Sequence, residues 1–324
     1  MTMITSDWSE FVKGVSARID EIIDETKDLT PSFMSTGLFK QEQADGLIHR
    51  TEGVTGFSYL EKFTEQDGIK EDRTYPAYNT EYVMVDLGKK VSISQKLMKT
   101  RPSELEAKLD EIRQLRIAAT RTLNKWAWQV LVDGFATTNS NANFPVSRLS
   151  DAVAMFSTAH TSRVTGVANR SNRLTGDPLF SETSLFTATR TIREQSNGRG
   201  LPIGFEGQFV VVVPPALEKL AFEITKSTQK SNSANNDVNY YSGGKVDFVS
   251  STYLGAANGG SDTAWFVFGK DDYLNSMRYV ELIAPKIEKT VDFDTKAVRV
   301  SVDLSAAFGY SNFEMCAASD GTND

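Results

Sequence analysis

Cysteine is almost absent from this chain. Cys316 stands alone among 324 residues, so no intrachain disulfide can form, and the fold suits a reducing compartment where it needs no covalent staple. Histidine is nearly as scarce. His49 and His160 show no ligand-like spacing such as HExxH, and with Cys316 they make an implausible metal set, so both read as structural or surface residues. No apolar run approaches the ~20 residues of a membrane-spanning helix, and no basic segment followed by an apolar core opens the chain, which argues against membrane insertion and export. Cations are in deficit, with 35 Lys and Arg against 42 Asp and Glu and a formal charge of -7. Binding nucleic acid over most of the surface needs the opposite balance. Reactive motifs are missing too. There is no GxSxG elbow, and Ser242-Gly243-Gly244-Lys245 fails as a phosphate loop because Asn239 occupies the first glycine position and Val246 replaces the Ser/Thr. The acidic pairs Asp271-Asp272 and Asp292-Phe293-Asp294 sit in turn or strand-edge contexts where solvation explains them. These absences nominate no catalytic, cofactor or metal site.

What is present is a 40% hydrophobic chain long enough for one large domain or two ordinary ones. Trp8, Phe11, Val12, Val15, Ile19, Ile22 and Ile23 recur at three- and four-residue steps and predict an amphipathic helix over residues 7 to 27. A Gly-punctuated stretch follows, so residues 1 to 55 read as an arm that packs on something else. From Phe57 to Ser94 the pattern is extended, with Tyr59, Phe63, Tyr75, Tyr78, Tyr82, Val83, Val85, Val91 and Ile93 around a very polar middle, Glu65 to Arg73. This predicts a long two-stranded loop with a charged tip, marginal without neighbours.

Ser103 and Glu106 form a capping-box signature at the start of a long helix carrying Leu105, Leu109, Ile112, Ala119, Leu123, Trp126 and Val130, roughly 30 residues and roughly 45 Å, with Arg116 breaking the spacing. Residues 137 to 178 read as loops. A helix opening at Ser181 and ending at Asn197-Gly198 comes next, carrying Leu185, Phe186 and Ile192. After it come a buried strand Gln208 to Val213 and a helix with Leu217, Leu220, Ala221 and Ile224 on one face. Lys226 to Gly244 is a loop by composition, Lys245 to Ser250 and Ala264 to Phe268 are strand candidates, and four C-terminal runs, Tyr279 to Ile283, Ile287 to Phe293, Ala297 to Leu304 and Ala306 to Glu314, are dominated by β-formers. Two groups of cations, Arg113, Arg116, Arg121 and Lys125 on the long helix and Arg163, Arg170 and Arg173 in the loop, make local basic patches. They read as solvated or subunit-facing surface, because no stacking aromatics are interleaved with the loop arginines.

This order of elements resembles the Hong Kong 97-type capsid fold, an α+β architecture. Met155-Phe156-Ser157-Thr158-Ala159-His160, then Leu185 to Arg193, then Gly207 to Pro215 with Leu217, Ala221 and Phe222, is similar to a run found in tailed-bacteriophage major head proteins. The resemblance implies an N-terminal arm (1–55), an extended loop over a neighbouring subunit (56–90), a peripheral domain with its spine helix (91–144), an axial domain (145–280) and a return to the peripheral domain (281–324). It implies a structural shell subunit that assembles into pentamers and hexamers of an icosahedral head enclosing double-stranded DNA. Trp8, Phe11 and Val15 of the arm and Lys62, Phe63, Glu65, Tyr75 and Tyr78 of the hairpin are the expected interface residues. Some members cross-link subunits through a Lys–Asn isopeptide bond, and Lys62 and Lys70 lie in the matching hairpin, although ordinary salt-bridging lysines are the favoured reading. The expected partners are further copies of the chain, a portal, a decoration protein, and packaged DNA by nonspecific contact, with no membrane. Because the arm starts almost at once, scaffolding is expected from a separate protein unless the chain is a trimmed form. The expected location is the virion capsid, assembled in the host cytoplasm. Two other readings stand beside this one: an encapsulin-like cage holding protein cargo, and a hydrolase built on isolated carboxylates.

Overall fold

A computed structural model describes residues 5–25, 30–63, 68–94, 96–97, 102–229, 238–270, 276–292, 294–295 and 297–323. In chain order, helix α1 (Thr5–Glu25) is followed by strands β1 (Phe39–Gln43), β2 (Ile48–Thr51), β3 (Thr80–Val83) and β4 (Val85–Ile93), and then by the long helix α2 (Pro102–Val132). Strand β5 (Val146–Ser147), helix α3 (Glu182–Arg193), β6 (Phe209–Val213), helix α4 (Glu218–Lys226), β7 (Val246–Ser250) and β8 (Trp265–Gly269) come next. The long strands β9 (Met277–Val291) and β10 (Val298–Tyr310) and the short β11 (Cys316–Ser319) complete the order. The larger sheet runs β1-β9-β10-β4 with β5 on β10, a second sheet runs β11-β8-β6-β7, and β2 pairs with β3. The chain forms two compact units, one of residues 1–32, 84–125 and 281–306, the other of residues 33–83, 126–280 and 307–324.

In the first unit, Val15, Ile19 and Ile22 of α1 and Leu105, Leu109, Ile112, Ala119 and Leu123 of α2 are buried, as their spacing predicts. Antiparallel pairing of β10 with β4 runs from Val298 opposite Ile93 to Ala306 opposite Val85. Arg116, which interrupts the apolar spacing of α2, lends its Nη1 to the Pro285 carbonyl at 2.6 Å, so a strand backbone answers the break in the stripe. The Glu106 carboxylate accepts two 2.6 Å bonds from Arg18, a tie between helices, and the helix begins at Pro102, one residue before the expected Ser103 cap. The Ser103 side chain lies outside the described residues.

In the second unit every residue of β6 and β8 is buried. Phe209, Val211, Val213, Trp265 and Val267 pack with Leu185, Ala188 and Ile192 of α3 and Ala221 of α4 in one core cluster. Alternate residues must point the other way, and Phe266 there meets Phe135 and Phe156 at ring distances of 5.8 and 5.4 Å. A second aromatic group surrounds Phe308, with Phe33, Trp126 and Tyr279 centred 5.3, 5.2 and 4.8 Å away.

Several expectations change in the structure. Helix α3 opens with the Ser181 cap, closed reciprocally by Ser184, but ends at Arg193, leaving Asn197-Gly198 in a separate turn. Phe186 and Leu220 face outward because each lies off the apolar arc that its short helix turns to the sheet. The four C-terminal β-rich runs merge into the long strands β9 and β10 and the tight turn between them, where the Asp292 amide donates to the Ala297 carbonyl at 2.9 Å. The Asp292 carboxylate caps that turn by accepting from the amides of Asp294 and Thr295, while Asp271 and Asp272 lie outside the described residues. Among the described residues the long two-stranded loop is paired at its base, from Ile48 opposite Val83 to Thr51 opposite Thr80, with a further bridge between Val54 and Pro76, while β4, expected to end its second strand, pairs with β10 instead. Among the described residues, no helix is long and apolar enough to cross a membrane.

Trp126 is fully buried and its indole N–H donates to the Pro145 carbonyl at 2.9 Å. Trp126→Ala is expected to lower unfolding stability by about 3–5 kcal/mol, from lost packing and an orphaned carbonyl. Chemical denaturation followed by circular dichroism checks this, and an unchanged midpoint contradicts the core assignment.

Candidate assembly surface

The hairpin projecting from the β2–β3 base carries the largest concentration of exposed apolar side chains in the second unit: Phe57, Tyr59, Leu60, Phe63 and Ile69, with Leu60 fully exposed. The limbs bearing these side chains have no strand ladder of their own. Their position rests on a polar node. Asp72 accepts from the backbone amide and hydroxyl of Ser58, both at 2.7 Å, which ties one limb to the other. Arg199 donates to both Asp72 oxygens, at 2.8 to 3.0 Å, and to the carbonyls of Gly56 and Arg73. The hydrogen bonds from Arg199, and then those from Ser58, hold the Asp72 carboxyl far below the usual carboxylate range.

Arg199 belongs to a turn in which the Asn197 side chain accepts from the amides of Arg199 and Leu201. Gly198 lets this turn approach the hairpin base closely, since a Cβ there would lie 2.8 Å from Thr55 Cγ2. Nearby, the Thr55 hydroxyl accepts from the Tyr75 amide at 3.1 Å.

The expected interface residues fall in four groups. Lys62 and Phe63 are exposed on the hairpin with the apolar cluster, and Tyr75 is exposed with its ring 5.7 Å from the Arg199 guanidinium. Tyr78 is half-buried, its hydroxyl 2.8 Å from that of Thr161 and its ring 4.8 Å from the Arg163 guanidinium. Val15 is buried in the first unit at 4% exposure. Glu65 and the side chains of Trp8 and Phe11 lie outside the described residues. Lys70 makes an ordinary ion pair with Glu61 at 2.5 Å.

Asp72 and Arg199 were not singled out from the sequence. They are 127 positions apart, and Asp72 lies in what reads as a charged tip. The one local signal is the Asn197-Gly198-Arg199-Gly200 turn.

The loop before α3 is internally braced. His160 is fully buried, with Nδ1 2.6 Å from Asp151 and Nε2 3.2 Å from both the Met155 carbonyl and the Asn172 side-chain oxygen, and its ring stacks on Phe313 at 3.6 Å. Arg170 pairs with Glu314 and donates to the Ser196 carbonyl at 2.9 Å, while Arg173 grips Asp177 and Asp320. These two loop arginines therefore brace the chain's own fold and form no surface patch. Burial pushes the Glu314 carboxyl up against the opposing pull of Arg170, and it pushes the Cys316 thiol up to about 12. A thiol so placed is an inert core residue.

The family model described as phage capsid protein matches residues 78–315, more than half of the chain. Three solved structures share its α+β, Hong Kong 97-type fold at low identity. Mycobacterium phage Patience gives a TM-score of 0.53 at 11% identity over 98% of this chain and 88% of that one. The capsid of cyanophage P-SCSP1u gives 0.51 at 14% over 90% and 88%, and the capsid asymmetric unit of cyanophage Pam1 gives 0.52 at 12% over 88% and 89%. No curated protein matches the sequence.

Two outcomes are expected. A carboxyl with a lowered folded pKa contributes stability above its unfolded pKa and loses it only as pH falls through the folded value. The Asp72 tie is thus intact at both about pH 8 and about pH 5, and limited proteolysis of the hairpin in dissociated subunits should match at the two; cleavage appearing only at the acidic pH contradicts it. His160→Gln removes the imidazole Nδ1 that faces the buried Asp151 side chain and is expected to cost about 1–3 kcal/mol in denaturant melts.

Proposed function

Because the chain belongs to the phage capsid protein family, and is therefore a structural shell subunit whose activity is assembly with its own copies, we propose that the hairpin is a principal contact surface between subunits. The observation that carries this is the exposure of Phe57, Tyr59, Leu60, Phe63 and Ile69 on limbs without a ladder of their own. A contiguous apolar patch held out in water is unfavourable for an isolated subunit and favourable for one that docks. Lys62, Glu65, Tyr75 and Tyr78 of the hairpin and, separately, Trp8 and Phe11 of the arm are the further proposed contact residues, whereas Val15 is buried in the subunit's own core.

On this reading residues 1–55 are the arm and 56–90 the loop that lies over a neighbour. Residues 91–144 form the peripheral domain, 145–280 the axial domain facing fivefold and sixfold axes, and 281–324 the return to the peripheral domain. Heterologous contacts repeated around rings of five and six close an icosahedral head around double-stranded DNA. The acidic balance of the chain disfavours broad DNA binding, so contact with that DNA is local and nonspecific. A separate scaffolding protein, a portal and a decoration protein are the further partners, and assembly takes place in the host cytoplasm. The family match does not favour the encapsulin-like cage or the hydrolase.

Replacing Leu60 and Phe63 together by Ser should leave the subunit folded by circular dichroism but abolish closed particles in electron microscopy and sedimentation. Normal particles from this variant would sink the hairpin as a principal contact.

A further inference from the structure

The proposed contact surface is displayed on limbs without a strand ladder, joined further out by the exposed Glu61–Lys70 ion pair, so its direction depends on the restraints at the root. Among the described residues, two restraints stand out at its root. One is the backbone pairing at Thr55, Tyr75, Gly53 and Ala77. The other is the node at Asp72, which gathers Ser58 from one limb, the Arg73 amide from the other, and Arg199 from the turn behind. Arg199 is 18% exposed and Asp72 31%, and their contact is bidentate, so the pair is more shielded and geometrically defined than an ordinary surface ion pair. Arg199 also reaches backbone carbonyls on both limbs, Gly56 and Arg73.

Resting on the hairpin reading above, we infer that Asp72 and Arg199 are positioning residues for assembly, fixing the direction in which the apolar hairpin is presented to the next subunit. Neither needs to touch that subunit. In an unassembled subunit the node limits the hairpin to a narrow set of directions, so less conformational freedom is lost on docking. Removing one partner frees the limbs without unfolding the sheet beneath, because Arg199 lies in a turn and Asp72 in a hairpin limb.

The test is a double-mutant cycle with Asp72→Asn, Arg199→Ala and the double variant, made in the full chain and read two ways. Hydrogen exchange over residues 56–75 in dissociated subunits reports the hairpin, and the lowest subunit concentration that yields particles reports assembly. Each single variant should speed exchange and raise that concentration by about three- to tenfold, and the double should be no worse than either single, because both act through one contact. Arg199→Lys, which keeps the charge but loses the bidentate grip, should fall in between. The Leu60/Phe63 double Ser variant runs alongside. If it blocks assembly while Asp72→Asn and Arg199→Ala match the unaltered chain in both readouts, the positioning role is wrong and the hairpin reading survives. If it assembles normally, the hairpin reading itself fails. Strictly additive effects of the two substitutions overturn the shared node, and a single variant that unfolds in circular dichroism overturns the claim that the node acts on the hairpin alone.

Discussion

Burial of β6 and β8 on both faces is the constraint on which the rest of the second unit hangs. A strand covered on one side only leaves every other residue to water, whereas here the outer side is closed by Phe135 and Phe156 against Phe266. Phe156 opens the loop whose later residues, His160, Arg170 and Asn172, are locked by Asp151, Glu314 and the Met155 carbonyl. That loop is bonded to the turn after α3 through Arg170 to the Ser196 carbonyl, the Ser162 hydroxyl to the Gly198 carbonyl and the Gln195 side chain to the Ser171 carbonyl. The turn in turn carries Arg199. A continuous series of packed and hydrogen-bonded groups therefore runs from the sheet to the root of the hairpin.

This arrangement sorts the polar chemistry of the chain by purpose. A buried charge is tolerated when its partner and its hydrogen bonds are supplied together. Arg170 with Glu314 approaches that condition, although the Arg170 Nε finds no hydrogen-bond partner, and the hydrogen-bonded His160 and Asp151 are enclosed with them deep in the loop, where an active site would need a group left free to react. Nothing in the Asp–His pair is offered to a substrate, since both side chains have no exposed surface and the ring is sealed by Phe313. The groups that resemble catalytic parts in a list of residues are braces, consistent with a shell subunit.

Much of the fold was legible where a single period dominates. The apolar spacing of α2 from Leu105 to Val130 reads directly as its buried stripe, and Phe209–Val213, apolar at every position, reads as a strand covered on both sides. Legibility fails where tertiary contacts decide. Glu106 carries a local capping signal yet bonds Arg18, 88 positions away. Arg170 and Arg173 read as loop cations because their acids, Glu314 and Asp320, come from the far end of the chain. The hairpin residues were legible as a surface through their mixture of aromatics and charge, but the node beneath them was not. Asp72 sits in a run of charges that any solvated tip would show.

That failure has a general physical origin. Solvated and engaged charges are identical in sequence, and what separates them is the geometry brought by a distant turn. For Asp72 the geometry requires Gly198, because a side chain there would press on Thr55 and push Arg199 away from the hairpin. The restraint on the proposed contact surface therefore depends on a missing side chain as much as on the two charged ones. A shell subunit has reason to keep such a restraint outside the contact itself. Residues buried between copies must suit every quasi-equivalent setting, whereas Asp72 and Arg199 are satisfied within one copy and hold the hairpin in the same way whichever neighbour it meets.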